Sequence, residues 1–290
     1  MNSAYILETQ NLTKKFEETI AINDLNLKLE YGKVYGLIGR NGAGKTTFLK
    51  LISNMLFPTS GQIKLNSEYL QKEGDIAFGR CYYIKYFTQK IGEIIKFASY
   101  SFPNWQQEYA EELIDSFELD VKKKYHRSSS GMQTMTSLII ALAANPQLLL
   151  LDEPYVGLDP INREVFYNFL RSHYFDGEKT VIISSHMIKE IEGYFEKAIM
   201  LNKGKLILHE DLDRLKQKSF MIQADSGLTE FIERNLHVIG KETLGQRSTF
   251  YIFDQIRDAE LMEIQTRGGV VQTMDLQTFM VKILTKGEAI

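Results

Sequence analysis

Residues 39–46 read GRNGAGKT, a glycine-rich run closed by a lysine and a threonine. Gly39, Gly42 and Gly44 let successive backbone N–H groups converge on one anion. Lys45 can reach the β- and γ-phosphates of a nucleotide, and the Thr46 hydroxyl can ligate Mg²⁺. A second piece, LLLLDE (148–153), ends an apolar run in two acids. A carboxylate at the end of a buried strand beside such a loop can hold the metal through water, which suits Asp152. Glu153 would then face the γ-phosphate and orient or deprotonate the attacking water. Together the two pieces imply a nucleoside triphosphate bound with Mg²⁺.

These groups need elements to carry them. KVYGLI (33–38) is a short apolar run that delivers the chain into the glycine-rich loop, and TFLKLISNML (47–56) follows with helical spacing. The positive end of that helix adds to the attraction for phosphate. YILETQNL (5–12) and LNLKLE (25–30) alternate as half-buried strands do, and QIKLN (62–66) resumes that alternation after FPTSG (57–61). From about 88 to 145 the pattern is helical, with WQQEYAEELIDSFEL (105–119) reading as one amphipathic helix. LLLLD (148–152) and TVIISS (180–185) are apolar on both faces, as in a buried parallel sheet, and INREVFYNFLRSHY (161–174) is the crossover helix between them. AIMLNKGKLIL (198–208) reads as a hairpin turning at Asn202, Lys203 and Gly204.

The expected architecture is α/β: a domain over 1–215 with an inserted helical subdomain at about 88–145, then a small α/β module over 216–290. In that module FMIQA (220–224) and TFYIF (249–253) are strand candidates and LQTFMVKIL (276–284) is a final helix.

The net charge of −3 over 290 residues shows no basic excess, which argues against bulk binding to nucleic acid. Cys81 is the single cysteine, so there is neither an intramolecular disulfide nor a cysteine-based zinc cluster, and a reducing cytosol fits. The longest apolar runs, SLIIALAA (137–144) and LLLL (148–151), fall short of the roughly 18–20 residues that span a bilayer. MNSAYILETQ (1–10) lacks the pattern of a signal peptide. Work at a membrane would require another chain.

In order, GRNGAGKTT (39–47), SSSGM (128–132), LLLLDEP (148–154), VGLD (156–159) and SSH (184–186) resemble the motifs of ATP-binding-cassette (ABC) ATPases. The likeness covers about residues 5–215, and PTSGQI (58–63) and SFPNW (101–105) are similar to cassettes of bacterial exporters whose membrane subunit is a separate chain. Several of those export peptides or confer resistance to them. The resemblance implies an antiparallel N-terminal β region, a phosphate-loop core, ATP and Mg²⁺ as ligands, and hydrolysis coupled to transport. It assigns Gly39, Asn41, Gly42, Ala43, Gly44, Lys45, Thr46 and Thr47 to the nucleotide, and Thr46 and Asp152 to the metal. Glu153 becomes the catalytic base, and His186 the histidine that contacts the γ-phosphate. Phe16 falls where an aromatic stacks on adenine, although on its own it reads equally well as a strand-end core residue. Ser129 and Gly131 are the retained parts of the signature, and Ser128 and Ser130 replace its usual leucine and first glycine. A serine-capped helix start is also how such a signature offers donors to phosphate, so the turn reading and the signature reading are compatible. Asp159 would lie at a dimer interface, or cap the helix that begins at Pro160, or do both.

The implied partners are a second ATP-binding subunit, identical or not, and an integral membrane subunit that holds the protein at the inner face of the cell membrane. Other phosphate-loop classes fit less well. No guanine-reading N-K-x-D is present, no long coiled coil interrupts the motifs, cysteine zinc modules are excluded, and there is one phosphate loop. Two further readings stand beside the transporter: a cassette that regulates or protects a soluble target, and a nucleotide-binding scaffold with little turnover. One motif departs from the family. Within IAFGRCYYIKYFTQK (76–90) no glutamine follows the strand closely, and Gln89 comes too late, which leaves that role somewhere in 79–83.

Overall fold

The computed structural model describes residues 5–71, 74–79 and 88–286. Cys81 and residues 80–83, to which the glutamine's role was narrowed together with Gly79, lie outside the described residues.

Strands β1 (Tyr5–Phe16) and β2 (Thr19–Glu30) form an antiparallel pair, and in β2 the expected alternation holds: Leu25, Leu27 and Leu29 are buried while Asn26 and Lys28 are exposed. After β3 (Val34–Ile38) and helix α1 (Lys45–Ile52), strand β4 (Ser60–Leu65) returns to the other edge of β1, giving a three-stranded sheet in the order β2-β1-β4. The second sheet takes β3, β5 (Ile76–Gly79), β6 (Leu148–Asp152), β7 (Thr180–Ser185), β8 (Lys197–Asn202) and β9 (Lys205–Asp211). Its order is β5-β6-β7-β3-β8-β9, parallel throughout except for the β8–β9 hairpin. That hairpin turns through Lys203 and Gly204 with φ of 48° and 79°, the pair of positive angles that a tight type I′ turn needs.

β3, β6 and β7 are buried on both faces because a core lies on each side. Leu149, Leu151, Val181 and Ile183 enter one core together with Ile94, Leu138, Leu142 and Phe166. Leu148, Leu150 and Ile182 enter the other with Phe48, Leu49 and the buried leucines of β1 and β2. The first of these cores is closed by α2 (Ile91–Ser101), α3 (Gln107–Ser116), α4 (Ser130–Ala143) and α5 (Pro160–Tyr174). Since β3, β7 and β6 are neighbours and parallel, the loops that leave their carboxyl ends meet at one end of the sheet.

Two helices are shorter than their apolar spacing suggests. The helix expected over 47–56 stops at Ile52, because Asn54 enters the left-handed region at φ 58°, which Asn tolerates better than most residues. The helix expected over 105–119 stops at Ser116, where Glu118 has φ 49°. Phe117 and Leu119 remain buried because the turn folds them back onto the core.

Helix α6 (Leu212–Lys218) spans the expected junction at 215/216. Beyond it, β10 (Ser219–Asp225), β11 (Val238–Leu244), β12 (Arg247–Phe253) and β13 (Val270–Thr273) pair antiparallel in the order β11-β12-β10-β13. Helices α7 (Thr229–Asn235) and α8 (Asp258–Thr266) are associated with a small separate core of Ile222, Ile232, Phe250, Ile252 and Ile264. The final helix α9 (Leu276–Lys286) instead sends Phe279, Met280 and Ile283 into the main core. Among the described residues, no helix is long and apolar enough to cross a membrane.

Candidate nucleotide site

The loop after β3 makes a compact cradle. Ala43 N–H donates to Arg40 O at 3.0 Å, and Gly204 N–H donates to Ala43 O at 2.9 Å, which fastens the loop to the β8–β9 turn. Gly44, at φ 105°, precedes α1 and packs so tightly that a Cβ there would lie 2.5 Å from Ala21 O. Lys45 is almost wholly buried, and its Nζ donates to Gly39 O at 2.7 Å and Arg40 O at 3.3 Å. Residues Asn41, Gly42, Ala43, Gly44, Lys45, Thr46 and Thr47 line a cavity of about 390 Å³ that Phe16 and Glu153 also border. Phe16 is part of that rim and is 43% exposed, with Lys14 Nζ 5.0 Å from its ring centre.

The loops after β6 and β7 supply the acids and the histidine. Asp152, the buried last residue of β6, pairs with Ser184 of β7, whose Oγ donates to Asp152 Oδ1 at 2.6 Å. Glu153 sits at φ 50°, a left-handed conformation that costs a non-glycine residue about 1–2 kcal/mol. Its N–H is anchored on Ser184 Oγ at 3.0 Å. The resulting turn brings Glu153 Oε1 within 3.0 Å of His186 Nδ1 and 3.6 Å of Lys45 Nζ. Glu153 therefore stands between the buried lysine and the histidine at the wall of the cradle. A carboxylate so placed can orient or deprotonate a water. His186 and Gly39 border an adjoining cavity, and Asp152 and Glu153 border a third, small one.

The hydroxyl of Thr46 and the carboxylate of Asp152 are hard oxygen donors, the chemistry that Mg²⁺ takes. Both flank Glu153, Thr46 across the cradle and Asp152 as its neighbour in sequence. The donor set fits the ion.

Ser129, Gly131 and Asp159 are not brought to this cradle. Ser129 is exposed and caps α4, its Oγ accepting from Met132 N–H at 3.3 Å. Asp159 caps α5, with Oδ1 accepting from Asn162 N–H at 2.8 Å and Pro160 in the first helical position. Gly131 abuts the loop between β6 and α5, where a Cβ would lie 2.6 Å from Gly157 O. Thr134 Oγ1 donates to Val156 O at 2.9 Å, a second tie between α4 and that loop. Sequence reasoning passed over one residue here. Tyr155 is buried, and its hydroxyl lies 2.9 Å from Ser185 Oγ and 3.4 Å from His186 Nδ1. No local signal in DEPYVGLD (152–159) marks it, because its partners come from the strand and turn thirty residues on.

The ABC transporter family profile matches residues 22–156. Among curated proteins, the chain is 31% identical over 225 residues to the ABC transporter ATP-binding protein YtrB of Bacillus subtilis, covering 75% of this chain and 76% of that one. It is 32% identical over 235 residues to the bacitracin transport ATP-binding protein BcrA of Enterococcus faecalis, covering 74% and 72%. Among solved structures, the dimeric ABC transporter cassette MJ0796 superposes with a TM-score of 0.60 at 23% identity, over 71% of this chain and 98% of that one. With the phosphate loop, the acids and the histidine gathered at the carboxyl ends of β3, β6 and β7 and these relatives in view, the chain belongs to the ABC transporter family of ATP-binding proteins, ATPases that take ATP with Mg²⁺.

Proposed function

We propose that this protein is the ATP-hydrolysing subunit of an exporter, driving a partner membrane subunit through ATP-dependent dimerisation. The observation that carries the reading is Glu153, held between Lys45 and His186 at the wall of the phosphate-loop cavity. In this reading the N–H groups of residues 41–47 and the Lys45 ammonium bind the phosphates, and Phe16 supports the base. Mg²⁺, held by Thr46 and Asp152, would neutralise charge on the β- and γ-phosphates. Glu153 accepts a proton from the attacking water, and His186 holds its carboxylate in place.

Dimerisation is supported by what the same chain leaves outside the cradle. Ser129 and Asp159 are exposed, and Val156 and Ile161 expose apolar surface of 51% and 76% beside Asp159. A second copy, head to tail, would bring its Ser129 and Gly131 to this cradle and its Asp159 to the seam. ATP would then shift the population toward the closed pair, and loss of the γ-phosphate would release it. The bacitracin transport relative and the exporter-like stretches at 58–63 and 101–105 support export, with a peptide or other antimicrobial as the substrate class. The protein then works on the cytoplasmic side, peripheral to the membrane.

Glu153→Gln tests the assignment. Mg-ATP binding should persist while turnover drops by roughly a hundredfold or more. Ordinary turnover in that variant would remove Glu153 from the role of base.

A further inference from the structure

Tyr155 is 2% exposed, although Val156 and Gly157 beside it are exposed. An aromatic core position is served by phenylalanine, so the phenol hydroxyl calls for its own explanation. Its hydrogen bonds can be given a direction. Ser185 Oγ donates its proton to Met187 O at 2.7 Å and accepts from Met187 N–H at 2.8 Å. At 2.9 Å, then, Ser185 Oγ takes the phenol proton rather than giving one. The phenol oxygen is left with its lone pairs beside His186 Nδ1 at 3.4 Å. Glu153 Oε1 lies 3.0 Å from the same nitrogen. Two acceptors thus face Nδ1, which keeps the imidazole proton on that nitrogen and fixes the orientation of the ring. Burial raises the Tyr155 phenol above its ordinary range, so it stays protonated and donating at neutral pH.

Arg163 braces the same two loops. The Arg163 guanidinium lies 5.8 Å from the Tyr155 ring centre, its Nε donates to Leu158 O at 3.2 Å, and its Nη1 meets Glu190 Oε2 at 2.9 Å. Arg163 therefore contacts both the loop after β6 and the turn that follows His186.

We infer that Tyr155 is a positioning residue for hydrolysis: its hydroxyl holds the His186 imidazole against Glu153 and locks the loop of residues 153–159 to the loop of residues 185–190. Opening one loop then carries the other, so the histidine and Asp159 respond together. The inference rests on the reading of Glu153 and His186 given above.

Tyr155→Phe removes the hydroxyl and keeps the ring. In the full chain, kcat should fall about tenfold while KM for Mg-ATP stays within about twofold. Ring ¹⁵N shifts of His186 should move in histidine-labelled protein, where five histidines keep the spectrum tractable. In a His186→Ala background, Tyr155→Phe should cost less than it does in the parent chain, because the hydroxyl then has no imidazole to hold and only its bond to Ser185 is lost. Unchanged kcat with unchanged His186 shifts, or losses that multiply in the double variant, would overturn the inference. Should Tyr155→Phe not fold, Ser185→Ala takes the acceptor from the phenol and should move the same His186 shifts; still shifts would overturn it equally. His186→Ala alone judges the underlying reading: full turnover there sinks the role of His186, while the shifts still decide whether Tyr155 holds the ring.

Discussion

The two groups of motif residues are built in different ways. Around the phosphate loop, side chains at or just beyond the carboxyl ends of β6 and β7 and at the start of α1 turn inward onto one another: Lys45 toward Glu153, Glu153 toward His186, and Asp152 toward Ser184. Around Ser129, Gly131 and Asp159, the polar groups cap helices, the glycine permits close packing, and the surface faces outward. The first region gathers its charged groups around one cavity. The second is tied down by helix caps and by the Thr134–Val156 bond, and Ser129 and Asp159 line none of the cavities described above. In the proposed dimer the contrast has a simple meaning: one half of the composite site is assembled within the chain, and the other half is presented to a copy on capped helix ends.

This comparison can be broken from the larger effects to the smaller. Lys45→Ala removes the buried cation of the first region, and ATP affinity should fall roughly a hundredfold or more, as titration of a fluorescent ATP analogue would show. An affinity near that of the parent chain would mean that the loop amides alone hold the phosphates. Gly131→Ala places a Cβ against Gly157 O, which should destabilise the fold by about 1–3 kcal/mol and reduce ATP-driven association more than ATP binding. Equal losses in the two assays would erase the distinction between the regions. Asp159→Ala removes a helix cap, which should cost about 1 kcal/mol and lower Tm by about 2 °C. If Asp159 also serves the seam, turnover falls beyond what that loss of stability explains. Ser129→Ala should cost least, about 0.5–1 kcal/mol on unfolding, since its bond to Met132 N–H is long and exposed.

The phosphate loop was legible because its chemistry needs a contiguous run flanked by a strand and a helix. The acids were legible because LLLLDE ends a two-faced apolar strand. Strands β1 and β2 were readable because their alternation of apolar and polar residues survives in the sequence, and β3, β6 and β7 because short unbroken apolar runs mark strands buried on both faces. Tyr155 was not readable, since its partners Ser185 and His186 lie about thirty residues away and only the β6–β7 pairing brings them together. Gly131 was read as a retained part of the signature, and the closest neighbour its Cβ would meet is Gly157 O of the same chain. Sequence reading assigned neither β11 nor β13. β13 is four residues long, and the pairing of β11 with β12 is broken by a register shift near Gly240. The helix ends at 52 and 116 were hidden because left-handed Asn54 and Glu118 stop the backbone while apolar residues continue.

The central claim is that a second copy completes the site, and sedimentation of the Glu153→Gln chain tests it most directly. With Mg-ATP this variant should run as a dimer, without nucleotide as a monomer, and with Ser129→Arg added as a monomer under both conditions. A monomer throughout, or a dimer that ignores Ser129→Arg, would contradict the claim.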